Sequence, residues 1–165
     1  DALATADLLV RAATVELRAV HPSDPRAREA MQSYFRELDE RFPTGFDVGP
    51  ANDEEAMAPG AGTFVVATSD GEPVACGGVQ ALSPEVGEIK RMWVHPEWRG
   101  AGMGSRLLRH LEEATRELGH ETVRLDTNGT LVEAIAMYER AGYRHIERYN
   151  DNPYAQAWFE KRLTS

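Results

Sequence analysis

The sequence predicts a single mixed α/β domain. Strand-like and helix-like hydrophobic periods alternate along the chain, two apolar runs meet at a hairpin signal, and an apolar strand leads through a glycine-rich turn into an amphipathic helix. At 165 residues the chain can bury one proper core, and its 42% hydrophobic and 27% charged shares are ordinary for a globular protein.

Taken in order, Val15–Val20 alternates like a half-buried strand and Pro22 ends it. Ser23–Phe42 reads as a helix: Asp24 can cap it, Pro25 suits its first turn, and Ala30, Tyr34, Leu38 and Phe42 share a face. The stretch from Arg41 to Gly62 holds three prolines, four glycines and the acidic cluster Asp53, Glu54 and Glu55, so it reads as a long loop, functional or mobile. Thr63–Leu82 is two strands joined at Ser69-Asp70-Gly71, and Glu88–Val94 is a further strand stopped by Pro96. Leu107, Leu108, Leu111, Ala114, Thr115 and Leu118 recur at helical spacing until Gly119. Thr122–Asp126 is a short buried strand, and Leu131, Ala134, Ile135 and Tyr138 mark a helix closed by Gly142. Tyr143–Tyr149 and Ala155–Leu163 read as a closing antiparallel pair. Residues 1–14 are expected to be an N-terminal extension, a candidate helix, and 15–165 the domain.

Eighteen basic against twenty-seven acidic residues give a formal charge of −9, which argues against nucleic acid or an anionic membrane as partner. No run is long and apolar enough to cross a bilayer and no secretory pattern opens the chain; its first residue, Asp1 rather than Met, fits a trimmed chain. The single cysteine, Cys76, excludes an internal disulfide, fits a cytoplasmic location and reads as buried packing. The five histidines show no ligand spacing, so no metal site is expected.

The sharpest feature is "VHPEWRGAGMGSRLL", Val94–Leu108. Glycine weakens helices and strands, so Gly100, Gly102 and Gly104 at alternate positions imply a need for bare backbone. A strand, a glycine turn and a helix N-terminus together aim several N–H groups, and the positive end of the helix dipole, at one spot. That is an anion site, most naturally for phosphate. Gly104-Ser105-Arg106 lacks the Gly-Lys-Ser/Thr ending of a nucleotide-triphosphate loop, and the glycine spacing is wrong for a dinucleotide fold despite Asp126 downstream.

The stretch resembles the coenzyme-A loop of the GNAT superfamily of acyl-CoA-dependent N-acyltransferases, whose pattern Arg/Gln-x-x-Gly-x-Gly/Ala is met by Arg99, Gly102 and Gly104. The preceding Val94-His95-Pro96, the following helix, "LDTN" and "AIAMYERAGY" match the family's next elements, and the likeness runs from Val15 to Leu163. "NDNPYAQAWFEKRL" also resembles a bacterial subgroup sometimes fused to MarR-type regulators; no such DNA-binding region is expected here. The resemblance implies a GNAT-like mixed, largely antiparallel sheet with helices on both faces, and acetyl-CoA as co-substrate. Backbone amides of Arg99, Gly100, Ala101, Gly102, Met103, Gly104 and Ser105 would hold the pyrophosphate. The pantetheine arm would pair with the strand edge at Met92, Trp93 and Val94, with the Val94 N–H polarising the thioester oxygen.

Three side chains have two readings each. Asn128 is a pantetheine ligand or a turn residue beside Gly129. Tyr138 is the general acid for the leaving thiolate or part of an apolar stripe. Glu88 is the base that deprotonates the amine or a strand-end partner of Lys90. Trp98 is a core anchor or a shield of the coenzyme entry, and Arg91, an odd charge within a strand, faces either the acceptor or an acidic neighbour. The loop acids Asp39, Glu40, Asp47, Asp53, Glu54 and Glu55 suggest a small cationic or amino-acid-like amine acceptor. The implied reaction is direct attack of a primary amine on acetyl-CoA in a ternary complex, with homodimers known among such proteins. The alternative is a CoA-binding regulatory module without efficient transfer.

Overall fold

The computed structural model, which describes residues 1–49 and 54–164, gathers the apolar runs into seven strands. These are β1 (Glu16–Ala19), β2 (Thr63–Ser69), β3 (Glu72–Ala81), β4 (Val86–Val94), β5 (Thr122–Thr127), β6 (Arg144–Ile146) and β7 (Ala157–Arg162). They form one sheet in the order β1-β2-β3-β4-β5-β7-β6. Every neighbouring pair is antiparallel except β4 with β5, which is parallel. Four helices pack on it: α1 (Ala2–Ala13), α2 (Pro25–Arg41), α3 (Met103–Glu117) and α4 (Val132–Arg140). The largely antiparallel mixed sheet is therefore the expected one.

Local chemistry explains the boundaries. Asp24 accepts a hydrogen bond from the Arg26 N–H at 2.9 Å and starts α2. Asp70 and Gly71 adopt φ of +50° and +81°, the left-handed pair that matches the twist of a two-residue hairpin. The helices cover both faces. On one, Ala27, Ala30 and Met31 of α2 pack with Phe64, Val66 and Cys76. On the other, Leu107, Leu108 and Leu111 of α3 meet Val79, Ile89, Val123 and Phe159.

The N-terminal extension is helical and tied to the domain. Arg106 donates to the Ala12 and Val15 carbonyls at 3.1 and 2.9 Å, and the Arg11 guanidinium lies 4.7 Å from the Trp98 ring centroid. Trp98 is buried there as an anchor. The tail forms the expected antiparallel pair, β6 with β7. Its first strand is shorter than Tyr143–Tyr149, only Arg144–Ile146, and β7 lies between β5 and β6. Tyr149 and Asn150 leave the strand path because their side chains turn inward to bond Glu88.

Leu111 sits at 0% exposure under the sheet, its Cδ1 in the space a side chain on Gly77 would take. Leu111→Ala is expected to cost about 2–5 kcal/mol of unfolding free energy, read as a lower urea midpoint with an unchanged slope.

Candidate active site

Pairing between β4 and β5 covers only Val86 with Thr122, Gly87 with Val123 and Glu88 with Arg124. Beyond that point β4 runs on to Val94 and β5 to Thr127 without sharing a ladder, so the sheet opens. A bulge accompanies the opening. Cys76 pairs with Trp93 but Gly78 with Lys90, which sets two residues, Arg91 and Met92, opposite Gly77. Arg91 takes φ +55°, rare for a side chain of its size. Its guanidinium bonds Glu54 Oε1 at 2.9 Å and lies over the Phe35 ring, and its carbonyl accepts from Cys76 Sγ at 3.3 Å.

Two cavities occupy the opening. The outer groove, about 500 Å³, runs along Met92, Val94, Arg99, Gly102 and Gly104 to Tyr138. Gly100 and Gly102 hold φ of +89° and +78°, and a Cβ on either would meet nothing within 4 Å. The glycines are therefore required by backbone conformation, and the space before them is open. Gly102 caps α3 without any side-chain hydrogen bond, so the N–H groups of the first turn have no intrahelical acceptor. Met103, Gly104 and Ser105 form that turn.

Arg99 acts through its side chain as a brace. Nη2 reaches Glu37 Oε1 and Oε2 at 2.6 and 2.8 Å, and Nε donates to the Val94 carbonyl at 2.9 Å. Glu37 also accepts from Trp93 Nε1 at 3.2 Å and Arg41 Nη1 at 3.1 Å. Burial alone would raise the Glu37 carboxyl, but the hydrogen bonds and charge of Arg99, with Trp93 and Arg41, outweigh it and hold it below the usual 4.5.

The inner cavity, about 390 Å³, lies between α2, the Phe42–Gly49 loop, β5 and the Asn152–Tyr154 loop. It shares Tyr34, Leu38, Met92, Leu131, Ala134 and Tyr138 with the outer groove. Tyr138 is thus at the junction, with Oη 4.0 Å from Met92 Sδ. Burial first, and the negative charge of Asp126 second, push its phenol well above the usual range. It stays protonated, as a hydrogen-bond donor must.

The other candidate side chains are placed differently. Glu88 is 2% exposed, lines neither cavity, and accepts from Tyr149 Oη at 2.6 Å, Gln80 Nε2 at 2.9 Å and Asn150 Nδ2 at 3.3 Å. The Asn128 amide donates to the Tyr154 carbonyl at 2.7 Å while its oxygen accepts from Thr130 N and Oγ1 at 2.9 and 2.8 Å, a turn arrangement. Of the described loop acids, only Asp47 lines the inner cavity. Asp39 accepts from Phe46 N, Glu54 pairs with Arg91, Glu55 faces His21, and Glu40 lies on the outer surface of α2. Asp53 lies outside the described residues.

Sequence reasoning missed a second carboxylate that lines this cavity, Asp126, held by the Asn150 and Asn152 amides. The Asn-Asp-Asn-Pro run was the available signal. It also missed the stacked wall of Phe35, Phe42, Phe46 and Tyr154, which three separate segments supply. Among the described residues no three His, Cys, Asp or Glu gather as a metal cluster, and no helix is long and apolar enough to cross a membrane.

An open strand edge thus lies beside an uncapped, glycine-led helix N-terminus, a place suited to an anionic ligand. Residues 25–143 match the model of the acetyltransferase (GNAT) family, and the chain belongs to that family. It is 34% identical over 110 residues to the N-acetyltransferase YjgM of Escherichia coli, covering 62% of this chain and 65% of that protein. The chain spans less than two thirds, 64% and 65%, of two curated relatives. In three dimensions it matches a GNAT-family acetyltransferase from Staphylococcus aureus at a TM-score of 0.79 and 16% identity, over 92% of this chain and 100% of that one. A GNAT acetyltransferase from Elizabethkingia anophelis with acetyl-CoA bound matches at 0.64 and 13% identity, over 90% and 98%.

Because Glu37 has a lowered carboxyl, its contribution to stability is complete above about pH 4.5 and is lost as pH falls through its lower folded value. Glu37→Gln removes that component. Urea midpoints are therefore expected to differ most at neutral pH and to converge as the pH drops below 4.5.

Proposed function

We propose that this chain is an N-acetyltransferase that moves the acetyl group of acetyl-CoA to a primary amine by direct attack in a ternary complex. The observation that carries it is the meeting of two cavities at Tyr138 and Met92, where the sheet opens. Coenzyme fits the outer groove, where the free amides between Gly100 and Ser105 suit a diphosphate and the unpaired β4 edge suits an amide-rich arm. The acceptor fits the inner cavity, whose size is that of a small-molecule site. We read it as a small cationic or amino-acid-like amine, acted on by a cytoplasmic protein that assembles as a homodimer. The MarR-associated likeness of the tail belongs to this proposal, since that tail supplies Asn150, Asn152 and Tyr154 to the acceptor side.

In the reaction the ammonium first loses one proton to water. Its nitrogen then forms the C–N bond as the C–S bond breaks, with the Val94 N–H assisting the carbonyl oxygen. Tyr138 gives its proton to the departing sulfur and is restored by the second proton from nitrogen. The products are the acetamide, the coenzyme thiol and one released proton. Glu88 is enclosed by three donors, so a proton would reach it only after one of them moved. We give it a positioning role behind the acceptor wall. A regulatory module without transfer would have no use for a protonated phenol between two cavities.

Calorimetry with CoA and acetyl-CoA tests the groove; uptake of neither overturns the proposal. Tyr138→Phe keeps the packing and is expected to lower kcat about 10²-fold with little change in the acetyl-CoA KM. Glu88→Gln is expected to lower kcat/KM by a similar factor at every pH. A loss concentrated at low pH would instead make Glu88 the base.

A further inference from the structure

Lys90 and Asp126 each lie two residues beyond the last β4–β5 pair, Glu88 with Arg124, so continuation of the parallel ladder would set them opposite each other on one face of the sheet. Both line the inner cavity. In a closed sheet such opposite charges would pair. Here the strands have parted. Among the described residues Asp126 has no Lys, Arg or His within 4.0 Å, and the carboxylate nearest Lys90 Nζ is Glu88 at 3.9 Å, itself already bonded by Tyr149, Gln80 and Asn150.

Asp126 is held rather than neutralised. Asn150 Nδ2 donates to one of its oxygens and Asn152 Nδ2 to the other at 3.0 Å. Amides fix the plane of a carboxylate without cancelling its charge, and two acceptor sites remain open. The rings of Phe35, Phe42, Phe46 and Tyr154 also line the cavity and pack in stacked, tilted and edge-on pairs with centroids 4.7 to 5.9 Å apart. The cavity therefore holds a positive and a negative group that do not pair with each other, together with an aromatic wall, and Asp47 and Arg91 also line it.

We infer that the acceptor is a free α-amino acid with a large apolar or aromatic side chain, its ammonium on Asp126, its carboxylate on Lys90 and its side chain against the rings. This rests on the transferase reading above and names its substrate. A zwitterion carries its two charges a single carbon apart, which is the arrangement a parted Lys–Asp pair can bridge. A simple amine leaves Lys90 against an uncharged body; a diamine can set its second cation on Asp47, which also lines the cavity, but it too leaves Lys90 without an anion, so both are disfavoured by unmatched charge. The ammonium on Asp126 lies on the cavity that Tyr138 shares with the coenzyme groove, as the transfer requires.

The test is thiol release from acetyl-CoA with L-phenylalanine, L-leucine, 2-phenylethylamine or putrescine as sole acceptor. L-Phenylalanine is expected to exceed 2-phenylethylamine in kcat/KM by about tenfold or more, the worth of one charge-assisted contact, and putrescine to be weakest. Lys90→Met brings the phenylalanine to phenylethylamine ratio close to one, chiefly through KM, whereas Asp126→Asn lowers kcat/KM for both. Wild-type protein that prefers 2-phenylethylamine or putrescine overturns this inference and leaves the transferase reading standing. Release with no amine, acetyl-CoA being bound, overturns both. An unchanged ratio in Lys90→Met overturns the assignment of the carboxylate, and the wild-type comparison decides the substrate class even where a variant fails to fold.

Discussion

Past the Glu88–Arg124 pair, β4 and β5 share no further hydrogen bonds, and a sheet that stops pairing in its middle must be held open by something other than its backbone. The bulge at Arg91 and Met92 does part of this by bending β4 away from the line β5 would follow. A left-handed conformation at a residue such as Arg91 costs about 1–2 kcal/mol. The surroundings compensate: an ion pair to Glu54, the Phe35 face and the Cys76 thiol on the Arg91 carbonyl all fix that one residue. The charge that looked odd within a strand is the anchor of the bulge. Without the opening there would be no free β4 edge and no path between the two cavities.

Glu37 secures the other wall. A solvated ion pair contributes little, typically under about 1 kcal/mol. This carboxylate is different in kind, because it is partly buried and joins Arg99, Trp93 and Arg41 at once. Arg41 continues the network to Glu133 on α4. Helix α2, strand β4, the glycine turn and α4 are therefore tied at one point beside the outer groove. The family's arginine does not leave its side chain free for phosphate here; it positions the turn whose amides remain open.

What could be read from sequence was local. The glycine turn needs no distant partner to be recognised, since strand, positive-φ glycines and helix follow one another in the chain. Tyr138 was legible from its place in a helix after the LDTN strand. The acceptor side was not, because Tyr34 and Phe46 from one end of the chain meet Asp126 and Tyr154 from the other only after β5 has crossed to lie beside β4. Glu88 shows the same limit. Its offset from Val94 suits a base, but its environment depends on Tyr149 and Asn150, sixty residues away in a loop that resembled a strand. The acidic loop misled for a related reason: a carboxylate count says nothing of partners, and Asp39 and Glu54 use theirs within the structure.

The charge on Asp126 joins the two halves of the site. It is felt at Tyr138 and at Tyr34, where, after burial, it adds to the forces keeping both phenols protonated. A negative group beside a proton donor strengthens the hold on that proton, which is unhelpful to an acid until the charge is balanced. An arriving ammonium supplies the balance. With a cation against Asp126 the phenol loses its neighbour's opposition to ionisation and becomes the better donor to sulfur. Occupancy of the acceptor cavity would thus raise the acidity of Tyr138 only when a nucleophile is present, so acetyl-CoA alone meets a weaker acid than the ternary complex does. In the proposed reaction, unproductive hydrolysis of the thioester would then be restrained by electrostatics already present in the fold, without any moving part.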